Sequence, residues 1–371
     1  MNKVMITGAT GFVGSALVAN LLAEDSCVVA LSRSDPFGRR TRTAVESAAT
    51  GFGLALTPAQ WSRLSVVEVD FRALDQTLPP QVFQGVTAVW NAAAEMSYSL
   101  RKILDSVNQN VFTSSMLYKL TAQHAVDCRR FYHVSTAFTA GFGDPDAREE
   151  INFTPKLINA YQLSKWMAEV AIAQSQKHRR LPLTIFRPSI IIGHEHTGWS
   201  SGASFGMFLL AAAVLYARKS GASQLRLDLE ADNRPNLVCI DTVVRRALTL
   251  LGDESPGREA TEIFNCIGDQ GISTADVAAQ LHAAIGVQVA FGAPANEMDV
   301  RVNTLFESNK QFANHRWTFH AERLRHVLGD HYGPATVTPE IVGRSMMHYV
   351  AHQVALARAK AAEAEGRSDA A

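Results

Sequence analysis

The sequence lacks three features that would each indicate a particular class of protein. It has only four cysteines, scattered without the spacing of a disulfide framework or a zinc site. Lysine plus arginine number 35 and aspartate plus glutamate also number 35, so no excess of charge indicates nucleic-acid binding. No internal repeat is visible. With 47% hydrophobic and 19% charged residues, we expect a reduced, globular protein of the cytoplasm.

Long hydrophobic runs are also missing. One uncharged apolar stretch, residues 202–217, is shorter than the roughly 20 residues that cross a bilayer, so we expect no transmembrane segment. We predict a buried or substrate-lining helix there, with a membrane-surface helix as the alternative. The chain enters its first strand at once, and we expect no signal peptide before it.

A glycine-rich turn near the N-terminus organises the chain. The apolar run at residues 4–6 predicts a buried parallel strand, and an alanine- and leucine-rich helix follows the turn. In such a turn Gly8 allows the tight bend, Gly11 lets a pyrophosphate approach the backbone, and Gly14 lets the helix pack closely. The helix N-terminus then faces the phosphates. We predict dinucleotide binding by Gly8, Thr10, Gly11, Phe12, Val13 and Gly14.

The end of the second predicted strand, residues 27–31, indicates which dinucleotide is bound. An acidic residue there would accept from a ribose 2′-hydroxyl and suit NAD, whereas an arginine would pair with the 2′-phosphate of NADP. Arg33 occupies this position, with Arg39 and Arg40 soon after, and Asp35 follows too late to reach the ribose. The alternative is that Arg33 is a solvated loop residue. We expect NADP (NADPH).

Two further strands extend the predicted cofactor site. A third strand at residues 66–71 ends in Asp70 and Phe71, where adenine would lie. A fourth strand at residues 87–90 leads into a turn of small residues that lets the backbone approach a ligand. We predict that Asn91, Ala92 and Ala93 in this turn contact the cofactor.

Candidate catalytic residues follow the fifth predicted strand, residues 131–134. Its carboxyl end delivers Ser135 and Thr136, and Tyr161 and Lys165 come later on a predicted helix. Residues four apart share a helix face, so the ammonium is expected near the phenol, where it would lower the tyrosine pKa. Tyr161 would then donate a proton to a carbonyl whose oxygen is held by a hydroxyl at 135 or 136.

Asn110 opens a further predicted helix and has two interpretations. Its side chain either caps that helix or holds a water at the active site. Beyond the sixth strand we predict cofactor contacts from Pro188, Ser189 and Ile190. His194 and His196 lack further spaced ligands, so we predict no metal site.

Four segments together resemble the extended short-chain dehydrogenase/reductase superfamily. They are TGATGFVG at 7–14, NAAA at 91–94, HVSTAF at 133–138 and YQLSK at 161–165, and the resemblance extends to about residue 329. It implies that Thr136 binds the substrate oxygen and that Tyr161 is the acid/base. It also implies that Lys165 orients the nicotinamide ribose, that Asn110 relays protons and that a homodimer can form.

Shorter features resemble the branch of fatty acyl-CoA reductases and thioester reductases. They include the Arg-Pro-Ser-Ile run at 187–190, Gly198-Trp199, the Val-Cys-Ile-Asp segment at 238–241 and Trp317-Thr318-Phe319. This resemblance implies NADPH-dependent reduction of an acyl thioester, on CoA or on a carrier protein acting in trans, to an aldehyde or alcohol. Ketone or secondary-alcohol oxidoreduction is the nearest alternative. A non-catalytic NADP-binding protein is a distant alternative, and Arg33 disfavours a nucleotide-sugar epimerase.

The expected fold class is α/β, a Rossmann-type doubly wound parallel sheet with a smaller, helix-rich C-terminal part. We expect the NADP-binding domain at residues 1–192 with a returning segment at about 237–268. The substrate-binding part would comprise residues 193–236 and 269–354. The alanine- and charge-rich residues 355–371 are expected to form a disordered tail.

Overall fold

The computed structural model describes residues 2–252, 258–269 and 271–368. Its strands are short and mostly parallel. In chain order they are β1 (Lys3–Thr7), β2 (Cys27–Ser32), β3 (Leu64–Glu68), β4 (Ala88–Asn91), β5 (Arg130–Val134), β6 (Asp146–Ala147), β7 (Leu183–Pro188), β8 (Ile190–Ile192), β9 (Gln224–Leu227), β10 (Leu237–Cys239), β11 (Thr261–Cys266), β12 (Gln288–Phe291) and β13 (Thr318–Phe319).

Helices connect most of these strands. In chain order they are α1 (Phe12–Ala23), α2 (Arg39–Gly51), α3 (Pro58–Trp61), α4 (Leu74–Thr77), α5 (Ile103–Ser106), α6 (Thr113–His124), α7 (Ala160–Arg179), α8 (Met207–Lys219), α9 (Ile240–Gly252), α10 (Thr274–Ile285), α11 (Glu297–Asn314), α12 (Glu322–Leu328) and α13 (Pro339–Ser368). A π-helical segment joins α5 to α6, and four 3₁₀ turns lie at Pro80–Phe83, Leu100–Lys102, Ala137–Ala140 and Gly329–Tyr332.

A seven-stranded parallel sheet confirms the expected Rossmann-type fold. Its strand order is β11-β7-β5-β4-β1-β2-β3, so the order reverses between β1 and β4. Ligands of such sheets bind beyond the carboxyl ends of the strands at this reversal. The strands are apolar along most of their length because both faces of a parallel sheet are covered. The core around the sheet includes Met5, Val29, Val89, Leu117, Phe131 and Ile185.

The chain divides into two compact units. The first contains residues 1–189, 240–268 and 317–335, and the second contains 190–239, 269–316 and 336–371. Residues 317–335, which we had assigned to the substrate-binding part, therefore lie in the sheet-containing unit. There β13 pairs with β6, and the Trp317 indole N–H donates to the Gly141 carbonyl at 2.9 Å. These contacts join the segment to residues that are distant from it in sequence, so its unit cannot be assigned from its position in the chain.

The second unit is built from four helices and two small pairs of strands. The strand pairs are β8 with β10 and β9 with β12, and the helices are α8, α10, α11 and α13. Residues 207–217 of the uncharged apolar stretch lie in α8, and most side chains of this helix are buried. Phe208 stacks on Tyr349 with ring centroids 5.1 Å apart. Within the described ranges, none of the helices has both the length and the apolar character needed to cross a bilayer.

Two expectations from the sequence concern this unit, namely a disordered C-terminal tail and no metal site at His194 and His196. The predicted disordered tail is instead helical from residue 355 to Ser368, as part of α13; residues 369–371 lie outside the described residues. Its alanine, glutamate, lysine and arginine residues are strong helix formers, which outweighs the low hydrophobicity.

The His194 imidazole accepts from the backbone N–H of His196, and the described residues contain no group of three or more potential metal ligands.

Candidate active site

The turn between β1 and α1 leaves no room for side chains at two of its glycines. Gly8 has a φ of +77°, and a Cβ there would lie 2.7 Å from the backbone nitrogen of Ala93. A Cβ on Gly14 would lie 2.1 Å from the Gly8 carbonyl oxygen. Gly11 precedes α1 and donates its N–H to that same carbonyl at 2.8 Å. The turn is therefore compact because these positions lack a Cβ.

This turn fits the pyrophosphate of a dinucleotide. Thr10 and Gly11 are exposed, and Phe12 and Val13 are partly buried. Backbone N–H groups in the first turn of a helix have no acceptor within that helix, and the helix dipole adds positive potential there. Residues 12–15 carry no acidic side chain that would oppose an anion. Both the shape and the charge of the turn therefore suit a phosphate ligand.

The segment that follows β2 exposes arginines, while its own carboxylate, that of Asp35, is buried. The Asp35 N–H donates to the exposed Glu68 carboxylate of β3 at 3.1 Å. Asp35 is buried and accepts from the Thr41 hydroxyl at 2.8 Å and from the backbone N–H groups of Arg40 and Thr41. Burial acts to raise the Asp35 pKa, but these hydrogen bonds hold it below its ordinary value. The Arg33 side chain is exposed, and the Arg40 guanidinium donates to the Arg33 carbonyl at 3.2 Å. Asp35 therefore caps α2 instead of pointing to a ribose.

Asp70 and Phe71 lie beyond the third strand, since β3 ends at Glu68 rather than at residue 71 as predicted. The Asp70 carboxylate accepts from the Arg72 backbone N–H at 2.9 Å and so forms a turn. Phe71 packs against the core, and its carbonyl accepts from the Thr113 hydroxyl. Both residues remain at the carboxyl edge of the sheet, where the prediction placed adenine.

A row of buried polar side chains crosses three neighbouring strands below this edge. Thr7, Asn91 and His133 are cross-strand neighbours on β1, β4 and β5. The Thr7 hydroxyl donates to the Asn91 amide oxygen at 2.7 Å and accepts from the Ala93 N–H, and the Asn91 amide lies 3.1 Å from His133 Nδ1. Burial, and then Lys165, lower the His133 pKa well below its ordinary value. The row therefore fixes the turn at Ala92 and Ala93 against Gly8 without adding charge.

Two hydroxyl groups lie at the carboxyl end of β5. Ser135 is buried, and its hydroxyl has no hydrogen-bond partner among the described residues. The Thr136 hydroxyl accepts from the Phe138 N–H at 3.4 Å, a long contact at the start of the 3₁₀ turn that follows. A buried hydroxyl without a partner costs about 1–3 kcal/mol, so an external ligand at this position would gain from binding. Both hydroxyls can donate to a substrate or cofactor atom.

Helix α7 carries Tyr161 in its first turn and Lys165 one turn later. The Asn159 side chain caps this helix by accepting from the Gln162 N–H at 2.8 Å. Lys165 is almost fully buried, and its ammonium donates to the Val134 carbonyl at 2.5 Å. Burial lowers the Lys165 pKa to about 8, although Glu169 acts in the opposite direction. This hydrogen bond ties α7 to β5 two residues before Thr136.

The predicted lowering of the Tyr161 pKa is wrong for this structure. Burial, with smaller contributions from Tyr98 and Glu169, raises the Tyr161 pKa above its ordinary value. The expected effect of Lys165 does not appear because the lysine is itself desolvated and donates to Val134. A protonated phenol is the form that a proton donor needs. The Tyr161 phenol therefore keeps its proton at rest, and the raised pKa makes it a weaker acid than the sequence predicted.

Asn110 neither opens a helix nor caps one. It lies inside the π-helical segment Val107–Phe112, and such segments often occur at functional sites. Its amide oxygen accepts from the Glu95 N–H at 2.7 Å, and its amide nitrogen donates to the Glu95 carbonyl and the Ser164 hydroxyl at 2.9 and 2.8 Å. The side chain thus connects the segment after β4 with α7, and the proton relay implied by the resemblance remains a prediction.

A buried ion pair supports the catalytic face of α7 and was not predicted. Glu169 and Arg187 are both fully buried and form two hydrogen bonds, at 2.9 and 2.6 Å. Arg187 also donates to the Glu150 carbonyl at 2.9 Å, and Thr139 donates to Glu169 at 3.2 Å. Glu169 lies four residues after Lys165, so helical spacing would have indicated its position but not its partner.

Tyr98 was also missed by sequence reasoning. It follows β4 in a segment without regular structure, and its ring contacts the ring of Tyr161 with centroids 6.0 Å apart. Its only signal in the sequence was an aromatic residue soon after the small-residue turn.

Pro188 ends β7, the strand beside β5, and Ser189 follows it. The Ser189 hydroxyl is buried, again without a partner among the described residues. Ile190 begins β8 in the second unit.

The burial of Lys165 yields a testable prediction about stability. A lysine whose pKa falls to about 8 in the folded chain binds fewer protons there than in the unfolded chain between about pH 8 and 10.5. The free energy of unfolding therefore rises with pH across this window, by on the order of 3 kcal/mol from this group. We expect Lys165→Met to be more stable than wild type at pH 7, by about 1–2 kcal/mol after loss of the hydrogen bond to Val134.

Chemical denaturation without cofactor at pH 7 and above pH 10.5 measures this effect. The advantage of Lys165→Met should disappear at the higher pH, where the lysine is neutral in both states. Lys177→Met, an exposed lysine on the same helix, is the matched control and should leave the stability unchanged. A Lys165→Met protein less stable than wild type at pH 7 would contradict the prediction.

These residues together allow one kind of chemistry. A dinucleotide turn, two hydroxyls, a protonated phenol and a buried lysine lie at the carboxyl edge of one sheet, within the first unit. Hydroxyls and a phenol can hold and protonate a carbonyl oxygen as negative charge develops on it.

Comparison with known proteins connects this arrangement to characterised folds and families. The family profile described as "Male sterility protein" matches residues 6–247. In structure, the terminal R domain of the myxalamid PKS-NRPS biosynthetic pathway superposes with a TM-score of 0.75 at 18% identity, covering 95% of this chain and 91% of that chain. A UDP-glucose 4-epimerase superposes with a TM-score of 0.68 at 18% identity, covering 94% and 97%. At these identities the two structures establish the fold alone.

Proteins similar in sequence include two synthases and a reductase of fungi. The non-canonical nonribosomal peptide synthetase cpsA of Aspergillus campestris is 25% identical over 228 residues, which cover 57% of this chain and 21% of the synthetase. The non-reducing polyketide synthase pkiA of Emericella nidulans is 27% identical over 300 residues, covering 75% and 11%. The aldehyde reductase lnbA of Aspergillus flavus is 25% identical over 228 residues, covering 57% and 22%.

The chain spans about a fifth or less of the length of these relatives. The family match nevertheless covers well over half of the chain and contains the glycine turn, Thr136, Tyr161 and Lys165. The chain therefore belongs to the male sterility protein family of the extended short-chain dehydrogenase/reductase superfamily, and it is an NAD(P)-dependent oxidoreductase.

Proposed function

We propose that the protein is an NADPH-dependent reductase that converts an acyl thioester to an aldehyde, and the aldehyde onward to an alcohol. The observation that carries this proposal is the arrangement at the carboxyl edge of the sheet. Thr136 follows β5, Lys165 is hydrogen-bonded to the same strand, and Tyr161 lies one turn before Lys165 with its phenol protonated. These groups are suited to holding a carbonyl oxygen and giving it a proton.

Each residue has a definite task in this proposal. The glycine turn holds the pyrophosphate, and Arg33 with Arg40 pairs with a 2′-phosphate. When bound, NADPH supplies a hydride to the carbonyl carbon. Thr136 donates a hydrogen bond to the carbonyl oxygen, and Tyr161 transfers its proton to that oxygen. With a thioester this addition gives a hemithioacetal. Its carbon–sulfur bond then breaks, the hydroxyl proton returns to the Tyr161 phenolate, and the sulfur takes a proton from water and leaves as the thiol, so that the aldehyde forms. Lys165, whose ammonium donates to the Val134 carbonyl, orients the nicotinamide ribose in this proposal.

The thioester as substrate is supported by the relatives rather than by a contact in this chain. Peptide and polyketide synthases are among the proteins that resemble it, and a terminal R domain shares its fold. We propose that the acyl group arrives on CoA or on a carrier protein acting in trans. Aldehyde reduction is the second candidate function, favoured by the similarity to the aldehyde reductase lnbA.

The preference for NADPH over NADH depends on Arg33 in this proposal. Because the Asp35 carboxylate is bonded to the first turn of α2, the exposed charged side chains of the segment after β2 are Arg33, Arg39 and Arg40. We expect Arg33→Asp to weaken NADPH binding about tenfold or more while NADH binding changes less than about threefold. Fluorescence titration with both cofactors measures this change.

Arg129→Asp is the matched control for that titration. Arg129 is equally exposed but precedes β5, at the opposite end of the sheet, and bonds Asn2. The control should leave both affinities unchanged. Equal losses of NADPH and NADH affinity in Arg33→Asp would show that Arg33 does not bind the 2′-phosphate.

The experiment that tests the proposed function follows NADPH absorbance with three substrate panels. Acyl thioesters of CoA, the corresponding aldehydes and matched ketones are compared with NADPH and with NADH. We expect oxidation of NADPH with thioesters and aldehydes. Turnover confined to ketones would replace the proposed function by that of a ketone reductase, and no turnover on any panel would contradict it.

A further inference from the structure

Tyr98 is the aromatic neighbour of the proton donor. The rings of Tyr98 and Tyr161 lie with centroids 6.0 Å apart and planes inclined at 59°. This separation falls in the range of about 4.5–7 Å over which aromatic side chains are in contact. Burial raises the pKa of Tyr98 to about 12, so its ring carries no charge at working pH. Tyr98 therefore presents a bulky, neutral surface beside Tyr161.

Two backbone connections hold this ring in place. The Tyr98 carbonyl accepts from the N–H of Ala160, the first residue of α7 and the one before Tyr161, at 3.4 Å. Three residues earlier, both backbone groups of Glu95 bond the Asn110 amide, which also donates to Ser164. The segment from Glu95 to Tyr98 is thus attached at two points to the turn of α7 that carries the proton donor. These hydrogen bonds therefore hold the Tyr98 ring in contact with the Tyr161 ring.

We propose that Tyr98 is a specificity-determining residue, whose ring forms a wall beside Tyr161 and restricts the enzyme to acyl groups unbranched at the carbon next to the carbonyl. This inference rests on the proposed function. A carbonyl oxygen that takes a proton from Tyr161 must lie about 3 Å from the phenol oxygen. The carbon next to that carbonyl then lies within reach of the neighbouring ring, and a branch on it meets Tyr98.

Two variants separate the ring of Tyr98 from its hydroxyl. Tyr98→Phe keeps the wall and removes only the hydroxyl, whereas Tyr98→Ala removes the wall. The probes are hexanal and 2-methylhexanal, and the readout is the ratio of their kcat/KM values with NADPH. We expect wild type to prefer hexanal by about tenfold or more, because one carbon in a close-fitting pocket is worth about 10–200-fold. Tyr98→Phe should keep this preference, and Tyr98→Ala should reduce it to about twofold.

The controls make each outcome decisive. NADPH affinity of both variants should match wild type. Tyr98→Phe should also match it in thermal denaturation, whereas Tyr98→Ala, which loses a packed ring, is assayed at a temperature where it is folded. Tyr216→Phe, in the second unit, should leave the ratio unchanged. A preference for hexanal that survives in Tyr98→Ala, or that wild type lacks, would overturn the inference while leaving the proposed reductase intact. A Tyr98→Phe enzyme that behaves like Tyr98→Ala would assign the effect to the hydroxyl and contradict the wall. Absence of any aldehyde turnover by wild type would remove both proposals.

Discussion

Replacing Tyr161 with phenylalanine is expected to lower kcat for carbonyl reduction by about 10²–10⁴-fold, the usual contribution of a positioned general acid. Tyr161 lies one helical turn before Lys165, which is bonded to the last residue of β5, and its phenol is protonated at neutral pH. Phenylalanine preserves the ring and its contact with Tyr98. Steady-state kinetics with an aldehyde, together with titration of NADPH, measures the two effects separately.

We expect the NADPH dissociation constant of Tyr161→Phe to stay within about threefold of wild type, because the pyrophosphate and 2′-phosphate contacts are elsewhere. Tyr216→Phe removes a phenol from the second unit and serves as the matched control. A kcat reduced less than about tenfold would show that another group supplies the proton. A non-catalytic NADP-binding protein would bind the cofactor equally well in both forms and turn over nothing.

Replacing Gly14 with alanine is expected to weaken NADPH binding about 100-fold or more. The added Cβ would lie 2.1 Å from the Gly8 carbonyl oxygen and 2.5 Å from its carbon. Both neighbours are backbone atoms of the turn, so the turn itself must move away from α1. Overpacking of this kind also costs about 1–3 kcal/mol of stability. Titration at a temperature where circular dichroism shows the variant folded separates affinity from unfolding.

Gly252→Ala provides the control for that substitution. Gly252 ends α9 in the same unit, its φ is not positive, and a Cβ there would meet no heavy atom of the described residues within 4 Å. The control should bind NADPH as wild type does. If Gly14→Ala also bound NADPH normally while folded, the turn would not be the pyrophosphate site.

Much of this site follows from local sequence patterns. The glycine turn, the small residues after β4 and the spacing of Tyr161 and Lys165 are each visible within a few residues, because strand, turn and helix signals are local. The fold class follows from the same alternation of apolar runs and helices.

The features that were missed or misread depend on contacts between distant parts of the chain. Trp317 bonds Gly141, and that contact assigns residues 317–335 to the first unit in spite of their position in sequence. Asn110 was interpreted as opening a helix, whereas it lies within a π-helical segment and bonds Glu95. The Glu169 carboxylate pairs with Arg187, which lies on β7 and is distant from the helix position in sequence.

The electrostatic prediction failed for a related reason. Helical spacing placed Lys165 on the face of Tyr161, but spacing alone does not show how deeply the ammonium is buried. Burial lowers the pKa of Lys165, raises that of Tyr161, and leaves the ammonium bonded to Val134. Desolvation therefore sets the pKa shifts of both groups, and the depth of burial is not visible in the sequence pattern.

Deuterium transfer tests the central claim most directly. Wild-type protein and Tyr161→Phe are each incubated with an acyl-CoA thioester and NADPH deuterated at the transferred position, and the product is trapped and analysed by mass spectrometry. We expect wild type to release free CoA thiol and to yield an aldehyde with one deuterium on its carbonyl carbon, together with an alcohol that has two deuteriums on that carbon. Tyr161→Phe should yield almost none of either product in the same time. An unlabelled carboxylic acid, or no cleavage of the thioester by wild type, would contradict a thioester reductase.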